Sequence, residues 1–166
     1  LFFDLKGAFE VITIDILLLY RCGVRGNGHS WLREFLTGRT QRVVLRRDGM
    51  EYSSELKEVS SGVPQGSLLG PLLFIIFIND ITSDGLGDSY ISLFADDTIV
   101  ACSGNNFEDI SKSANNAVLN MQDYCHKNSL ILNQEKTKMV FFSLRDLNKS
   151  LLVKFNTEII KTEIRN

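Results

Sequence analysis

Cysteine and histidine are scarce in this sequence, and their spacing excludes two kinds of stabilising framework. The cysteines are Cys22, Cys102 and Cys125, an odd number without a CxxC pair. Neither a disulfide framework nor a zinc site is therefore indicated, and the apolar neighbours of these residues favour buried free thiols in a reducing compartment. His29 and His126 stand alone and lack the spacing of metal ligands.

Long hydrophobic runs are also lacking. The longest, Leu72 to Ile78, is far shorter than the roughly 20 residues that a membrane-spanning helix needs. The sequence has no signal-peptide pattern, no internal repeat and no low-complexity segment. Its 44% hydrophobic and 23% charged residues are typical of an ordinary globular domain. These features exclude a disordered chain, a fibrous repeat and a dedicated membrane protein.

The net charge of −2 is distributed unevenly. Residues 1–50 carry a charge of +3, residues 51–100 carry −7 and residues 101–166 carry +2. A uniformly basic nucleic-acid clamp would not have this distribution. An acidic middle segment suits a site that gathers divalent cations. Chance clustering of solvated charge explains the pattern equally well.

Hydrophobic periodicity predicts an α+β chain. The predicted elements, in order, are a strand over 1–5, helices over 13–22 and 30–36, a hairpin over 40–59 turning at Asp48-Gly49, a helix over 71–81, a hairpin over 90–102, a helix capped by Asn106 with an apolar stripe ending at Cys125, strands over 130–142, and a second hairpin over 151–160. Because hairpins imply antiparallel pairing, we expect a sheet with helices packed on one face. Since the first residues already have strand character, we also expect a fragment of a longer protein.

Three carboxylates are the candidates for chemistry. Asp96 and Asp97 separate two apolar strand-like runs, and a solvated turn is the simpler interpretation of this pair alone. Asp4 is an isolated charge in an apolar strand, so it needs a cation or a place at the end of the strand. If these strands are neighbours, the three carboxylates converge and suit magnesium. Two such ions about 3.5–4 Å apart can assist a phosphoryl transfer.

Four stretches then identify a family. Four successive motifs of reverse transcriptases are resembled, in order, by the stretches Phe3–Phe9, Gly62–Phe74, Phe94–Asp97 and Leu132–Thr137. The run GVPQGSLLGPLLF, followed by IND and FADD, is most similar to the enzymes of non-LTR (LINE-type, jockey-like) retrotransposons. The resemblance covers essentially the whole chain. It implies a polymerase palm-type antiparallel sheet within a partial right-hand fold, with residues 1–166 forming the palm and part of the fingers.

The resemblance also implies an activity and its partners. The expected function is that of an RNA-directed DNA polymerase, which adds deoxynucleotides to a primer 3′-OH. The expected cofactor is Mg2+, as two ions, with Mn2+ as a substitute. The expected partners are an RNA template, a DNA primer and deoxynucleoside triphosphates, without a membrane, in the nucleus or cytoplasm. Upstream fingers and a downstream thumb would lie outside the chain.

By resemblance, individual residues receive roles. Asp4, Asp96 and Asp97 correspond to the metal-binding catalytic carboxylates, and Phe9 corresponds to the ring that blocks a ribose 2′-OH. Without the resemblance, Phe9 would be interpreted as a core aromatic residue.

The remaining assignments concern the nucleotide. Gln65 and Gly66 match the loop that contacts the incoming nucleotide, and Lys136 matches a lysine that assists the leaving pyrophosphate. Taken alone, Lys136 would be an exposed lysine.

The sequence departs from the family pattern near its first motif. Lys6, Gly7 and Glu10 replace the usual residues, and the segment from Val11 to Tyr20 is shorter than expected. These departures support a second hypothesis, a catalytically inactive remnant or an RNA-binding module. A third hypothesis is a group II intron or telomerase-type enzyme. The long GVPQGSLLGPLLF form argues against telomerase.

Overall fold

A computed structural model describes residues 1–12, 19, 22–82, 89–142, 153–155, 158–160 and 162–165 of the chain. The helices are α1 (Ala8–Val11), α2 (Gly26–Leu36), α3 (Leu69–Ile78), which continues as a 3₁₀ turn (Asn79–Thr82), and α4 (Phe107–Lys127). The strands are β1 (Phe2–Phe3), β2 (Leu5–Lys6), β3 (Arg39–Gln41), β4 (Val44–Arg47), β5 (Met50–Ser53), β6 (Lys57–Val59), β7 (Tyr90–Phe94), β8 (Asp97–Ala101), β9 (Ile131–Leu132), β10 (Met139–Phe142), β11 (Lys154–Phe155), β12 (Glu158–Ile159) and β13 (Thr162–Arg165). Most of the helix predicted over 13–22 lies outside the described residues.

The chain divides into two compact units. The first unit contains Leu1–Ala8 and Ile78–Asn166, and the second contains Phe9–Phe77. In the first unit, an antiparallel sheet has the order β1-β8-β7, β2 pairs with β9, and β11 pairs with β12. In the second unit, β3 pairs with β6 and β4 with β5, all antiparallel. The pair β10–β13 is parallel and was not predicted.

Helix α4 is the long amphipathic helix predicted after Asn106. The Asn106 side chain accepts a hydrogen bond of 2.8 Å from the backbone N–H of Asp109, so the N-cap prediction is confirmed. The buried face consists of Ala114, Ala117, Val118, Met121, Tyr124 and Cys125. Tyr124 was not expected in this stripe. Its hydroxyl donates to Asp80 Oδ1 at 2.7 Å, which satisfies the polar end of a buried ring.

The hairpin predicted at Asp48-Gly49 is present as the β4–β5 pair. Asp48 has a φ of 52° and Gly49 a φ of 78°, and positive values at both central residues are typical of a type I′ turn. The neighbouring residues form the separate β3–β6 ladder instead of extending the same pair. The hairpin predicted near 151–160 is present as β11–β12, although its turn lies outside the described residues.

Two helix starts differ from the prediction. Helix α2 begins at Gly26, earlier than the predicted start at Ser30. Glycine has a low helix propensity, so the glycines at the start of this segment argued against a helix there. Helix α3 begins at Leu69, and Pro71 lies within its first turn, where the missing N–H carries no penalty. One burial prediction is wrong, since Cys22 is exposed. None of the described helices is long and apolar enough to cross a membrane.

Candidate active site

The β7–β8 hairpin carries two of the predicted carboxylates. Phe94 pairs with Asp97, so the two-residue turn consists of Ala95 and Asp96, and Asp97 begins β8. The turn predicted at Asp96-Asp97 was therefore displaced by one residue. Ala95 has a φ of 52°, and a positive φ at the first central residue alone is typical of a type II′ turn. An alanine in this conformation is strained, and the two flanking strands hold it there.

The strand register brings Asp4 to the same end of the sheet. Phe3 pairs with Thr98, and both side chains are buried. Asp4 follows Phe3, and Asp97 precedes Thr98 on the antiparallel neighbour. Both carboxylates therefore lie just beyond the last pair at the same end of the β1–β8 ladder. Side chains alternate along a strand, which places Asp4 and Asp97 on the face opposite to Phe3 and Thr98. The register thus brings Asp4 and Asp97 to one end of the ladder, with Asp96 in the adjoining turn, but the three predicted carboxylates do not form a group that could hold a metal ion among the described residues.

Asp4 has the surroundings that a charge in an apolar strand requires. It lies between β1 and β2, where the chain leaves its pairing with β8 and begins to pair with β9. The Asn133 side-chain amide donates to Asp4 Oδ2 at 2.8 Å, and the Lys136 ammonium lies 3.6 Å from Asp4 Oδ1. The Asp4 side chain retains 21% of its exposure. Its ionised form is therefore hydrogen-bonded, paired with a cation and reachable from solvent.

The turn between β9 and β10 positions the two residues that contact Asp4. Thr137 is buried, and its hydroxyl and backbone N–H donate to the Asn133 carbonyl at 2.8 and 3.0 Å. These bonds close a tight turn over residues 134–136, which places Lys136 beside the carboxylate that Asn133 holds. The LNQEKT stretch therefore positions both side chains that contact Asp4.

The donor chemistry of this site suits a hard divalent cation. Among the residues that the structure describes, no three His, Cys, Asp or Glu side chains form a group that could hold a metal ion. Mg2+ does not require such a cage, because one or two carboxylates together with substrate phosphates are its usual ligands. Asp4 and Asp97, at one end of neighbouring strands, supply that number of carboxylates. The residues present therefore fit the group that the family pattern implies.

The loop over residues 60–67, predicted from its composition, docks on the end of α1. The backbone N–H of Gly62 donates to the Ile12 carbonyl at 2.7 Å, and that of Val63 donates to the Phe9 carbonyl at 2.9 Å. The Ser61 hydroxyl donates to the Glu10 carbonyl at 3.1 Å. Carbonyls at the end of a helix lack partners within the helix, so the loop satisfies them.

Only glycine fits at the centre of this contact. Gly62 has a φ of 77°, and a Cβ there would lie 2.7 Å from the Glu10 carbonyl oxygen and 2.8 Å from that of Phe9. Gly66 has a similar φ of 80°, but a Cβ there would meet nothing within 4 Å. The two glycines of the GVPQG run therefore have different physical requirements: Gly62 needs both the conformation and the space, whereas Gly66 needs the conformation alone.

Arg39 holds the other side of the loop, a role that the sequence did not predict. Its guanidinium donates to the carbonyls of Gly62 at 2.6 Å, Ser61 at 3.3 Å and Leu36 at 3.0 Å. A planar fork of donors matches several carbonyls at once, which a lysine could not do. An open cavity of about 770 Å³ lies beside this contact and is lined by Glu10, Arg39 and Gln65, among others. No sequence signal distinguishes Arg39 from the other arginines of the hairpin.

The predicted nucleotide-binding residues of the second unit have the following surroundings. The Phe9 ring packs against Phe74, with centroids 4.6 Å apart, and is half-buried. The exposed Gln65 donates from Nε2 to Glu10 Oε1 at 3.2 Å. Gly66 is exposed. Asp4, Asp96, Asp97 and Lys136 all belong to the first unit.

The four motifs are divided between the two units. The first unit carries Asp4 and the β7–β8 hairpin with Asp96 and Asp97, and the second carries the glycine-containing loop that docks on the end of α1. The family description that matches residues 1–162 is "Reverse transcriptase (RNA-dependent DNA polymerase)". The chain belongs to this family.

The relatives of the chain indicate a subgroup of this family. The chain is 31% identical, over 87% of the chain, to the RNA-directed DNA polymerase from mobile element jockey of Drosophila melanogaster. It is 28% identical, also over 87% of the chain, to the probable RNA-directed DNA polymerase from transposon X-element of the same organism. It is 27% identical to the probable polymerase from transposon BS of the same fly over 89%. The predicted jockey-like non-LTR reverse transcriptase domain is thereby confirmed. The chain spans only 16–17% of the length of these relatives.

Proposed function

We propose that this chain is the polymerising part of an RNA-directed DNA polymerase, which adds deoxynucleotides to a primer 3′-OH under the direction of an RNA template. The observation that carries the proposal is the placement of Asp4 and Asp97 at one end of the β1–β8 ladder, with Asp96 in the turn. Phosphoryl transfer depends mostly on positioning and charge stabilisation, and a rigid ladder provides positioning.

The proposed architecture is a palm-type sheet within a partial reverse transcriptase domain over residues 1–166. Asp4, Asp96 and Asp97 would hold Mg2+, as two ions, or Mn2+ in its place. Such ions activate an attacking hydroxyl and stabilise a leaving pyrophosphate. The residues of the chain supply the hard oxygen ligands, and the ladder keeps Asp4 and Asp97 in register with each other.

The remaining site residues have proposed roles toward the nucleotide. The Phe9 ring would exclude a ribose 2′-OH, and its packing on Phe74 would hold the ring in place. Gln65 and Gly66 would contact the incoming nucleotide from the docked loop. Lys136 would neutralise charge on the leaving pyrophosphate, and its present partner is Asp4.

The partners and location follow from the same proposal. An RNA template, a DNA primer and deoxynucleoside triphosphates would bind, and affinity for the template-primer would come largely from phosphate contacts. The proposed location is the nucleus or cytoplasm.

Primer extension tests the proposal. The chain would replace the matching segment of the jockey polymerase, to which it is 31% identical over 152 residues, in an assay with an RNA template and Mg2+. We expect extension, and we expect Asp96→Asn to lower the rate by at least about a hundredfold, because a preorganised charge at the reacting phosphate is lost. Glu108→Gln, an exposed change at the start of α4, serves as the matched control and should extend normally.

One observation favours the second candidate, a catalytically inactive remnant or RNA-binding module. Glu10 departs from the family pattern, and its carboxylate accepts the hydrogen bond of Gln65, which the resemblance assigns to the nucleotide. The remnant hypothesis predicts no extension by the chimera, even though the remaining segments of the jockey polymerase are supplied. Extension by the chimera would exclude the remnant.

A further inference from the structure

Asn133 joins two segments that lie 129 residues apart along the chain. Its backbone N–H donates to the Asp4 carbonyl at 2.8 Å, and its side-chain Nδ2 donates to Asp4 Oδ2, also at 2.8 Å. One residue therefore holds both the main chain and the carboxylate of Asp4. The contact also distinguishes the two carboxylate oxygens, since Oδ2 accepts from Asn133 while Oδ1 faces the Lys136 ammonium at 3.6 Å.

The other end of the Asn133 amide has no hydrogen-bond partner among the residues that the structure describes. The residue is only 8% exposed, and its Oδ1 is buried without a hydrogen bond. Flipping the amide would not help, because Oδ1 would then face a carboxylate oxygen that can only accept. A buried acceptor without a partner destabilises a fold. For stability alone, an apolar side chain of the same branched shape would serve better at this position.

The backbone at Asn133 does not depend on its side chain. Thr137 donates two hydrogen bonds to the Asn133 carbonyl, and the Asn133 N–H bond to Asp4 is also a main-chain contact. Replacing the side chain therefore removes the Nδ2 bond to the carboxylate and leaves the turn in place. The consequence for Asp4 can be measured separately from the fold.

We propose that Asn133 is a positioning residue that orients the Asp4 carboxylate and leaves Oδ1, which now faces the Lys136 ammonium at 3.6 Å, as the oxygen that a divalent cation would bind in place of the lysine. The inference rests on the proposed function, in which Asp4 is a metal ligand. A carboxylate that is already held through one oxygen loses less rotational freedom when a cation binds the other. Hydrogen bonds to ligating carboxylates tune metal affinity in this way.

The test compares Mn2+ affinity, measured by electron paramagnetic resonance, with the stability of the chain in urea. Asn133→Leu keeps the branched shape and removes the unpartnered acceptor, so we expect unchanged or higher stability together with about tenfold weaker Mn2+ binding. Asn133→Ala should weaken binding to the same extent, with some loss of stability from the cavity that it leaves. Asn116→Ala, at an exposed position of α4, should alter neither quantity.

Asp4→Asn separates the possible failures. If this variant binds Mn2+ as tightly as the unmodified chain, the metal site of the proposed function and the positioning role are both overturned. If Asp4→Asn loses affinity while Asn133→Leu retains it, the positioning role alone is wrong. If stability and affinity both fall in Asn133→Leu, Asn133 is a structural residue and the proposal is again overturned.

Discussion

At the scale of single residues, three cysteines with similar sequence surroundings have different environments. Cys22 is exposed, Cys102 is half-buried and Cys125 is buried on α4. Burial raises the pKa of the Cys125 thiol to about 12, because desolvation disfavours the thiolate. Cys125 is therefore a protonated and unreactive thiol at neutral pH. Apolar neighbours in sequence correctly predicted the burial of Cys125 and wrongly predicted that of Cys22.

The raised pKa of Cys125 predicts a pH dependence of stability. Between its ordinary value of 9.0 and about 12, the folded chain retains a proton that the unfolded chain releases. The unfolded state binds fewer protons in this window, so stability falls as the pH rises, by at most about 1.4 kcal/mol per pH unit. Urea unfolding should show a shallower fall in Cys125→Ala. Cys22→Ala should match the unmodified chain, and equal slopes in all three proteins would contradict the prediction.

At the scale of elements, the loop over residues 60–67 is ordered by its contacts with other elements. The loop's N–H and O–H donors satisfy the carbonyls at the end of α1, and the Arg39 guanidinium donates to the carbonyls of the loop. The sequence predicted a loop from composition and a functional role from resemblance. It could not predict which helix end receives the loop, because that depends on chain segments about fifty residues apart in sequence.

The two glycines of this loop allow a matched prediction. Gly66→Ala should lower the free energy of unfolding by about 1 to 2 kcal/mol, the strain of a Cβ at positive φ. Gly62→Ala should lower it by about 1 to 3 kcal/mol more, because its Cβ would also collide with backbone carbonyls of α1. Urea unfolding followed by circular dichroism measures both losses. Equal losses would show that the loop does not dock on α1 as described.

At the scale of the whole molecule, a divalent cation should stabilise the folded chain. A ligand that binds only the folded state adds about 2.7 kcal/mol at a hundredfold excess over its dissociation constant. We expect Mn2+ to raise the thermal midpoint of the chain, and Asp97→Asn to reduce this shift, because β8 then lacks its terminal carboxylate. The control, Glu108→Gln, should retain the full shift. An identical shift in Asp97→Asn would place any bound metal elsewhere.

Sequence reasoning predicted most of the candidate site. The carboxylates Asp4, Asp96 and Asp97 were found because charges that interrupt apolar strands are conspicuous, and four ordered motifs then identified the family. Local signals also predicted the N-cap of α4 and the turn at Asp48-Gly49, since capping and turn chemistry depend on residues within a few positions of each other. The catalytic roles of these three carboxylates stay predictions, as do the roles of Phe9, Gln65, Gly66 and Lys136 toward a nucleotide.

The sequence by itself determined the family of this chain and predicted the chemistry of its candidate site, because both depend on residue type, order and short-range spacing. The tertiary structure alone decided that Asp97 begins β8, that Asn133 holds Asp4, and that Arg39 fixes the Gly62 loop. Those facts depend on strand register and on contacts between distant segments. Local periodicity contains no information about register between strands, since many pairings preserve the same alternation of buried and exposed side chains.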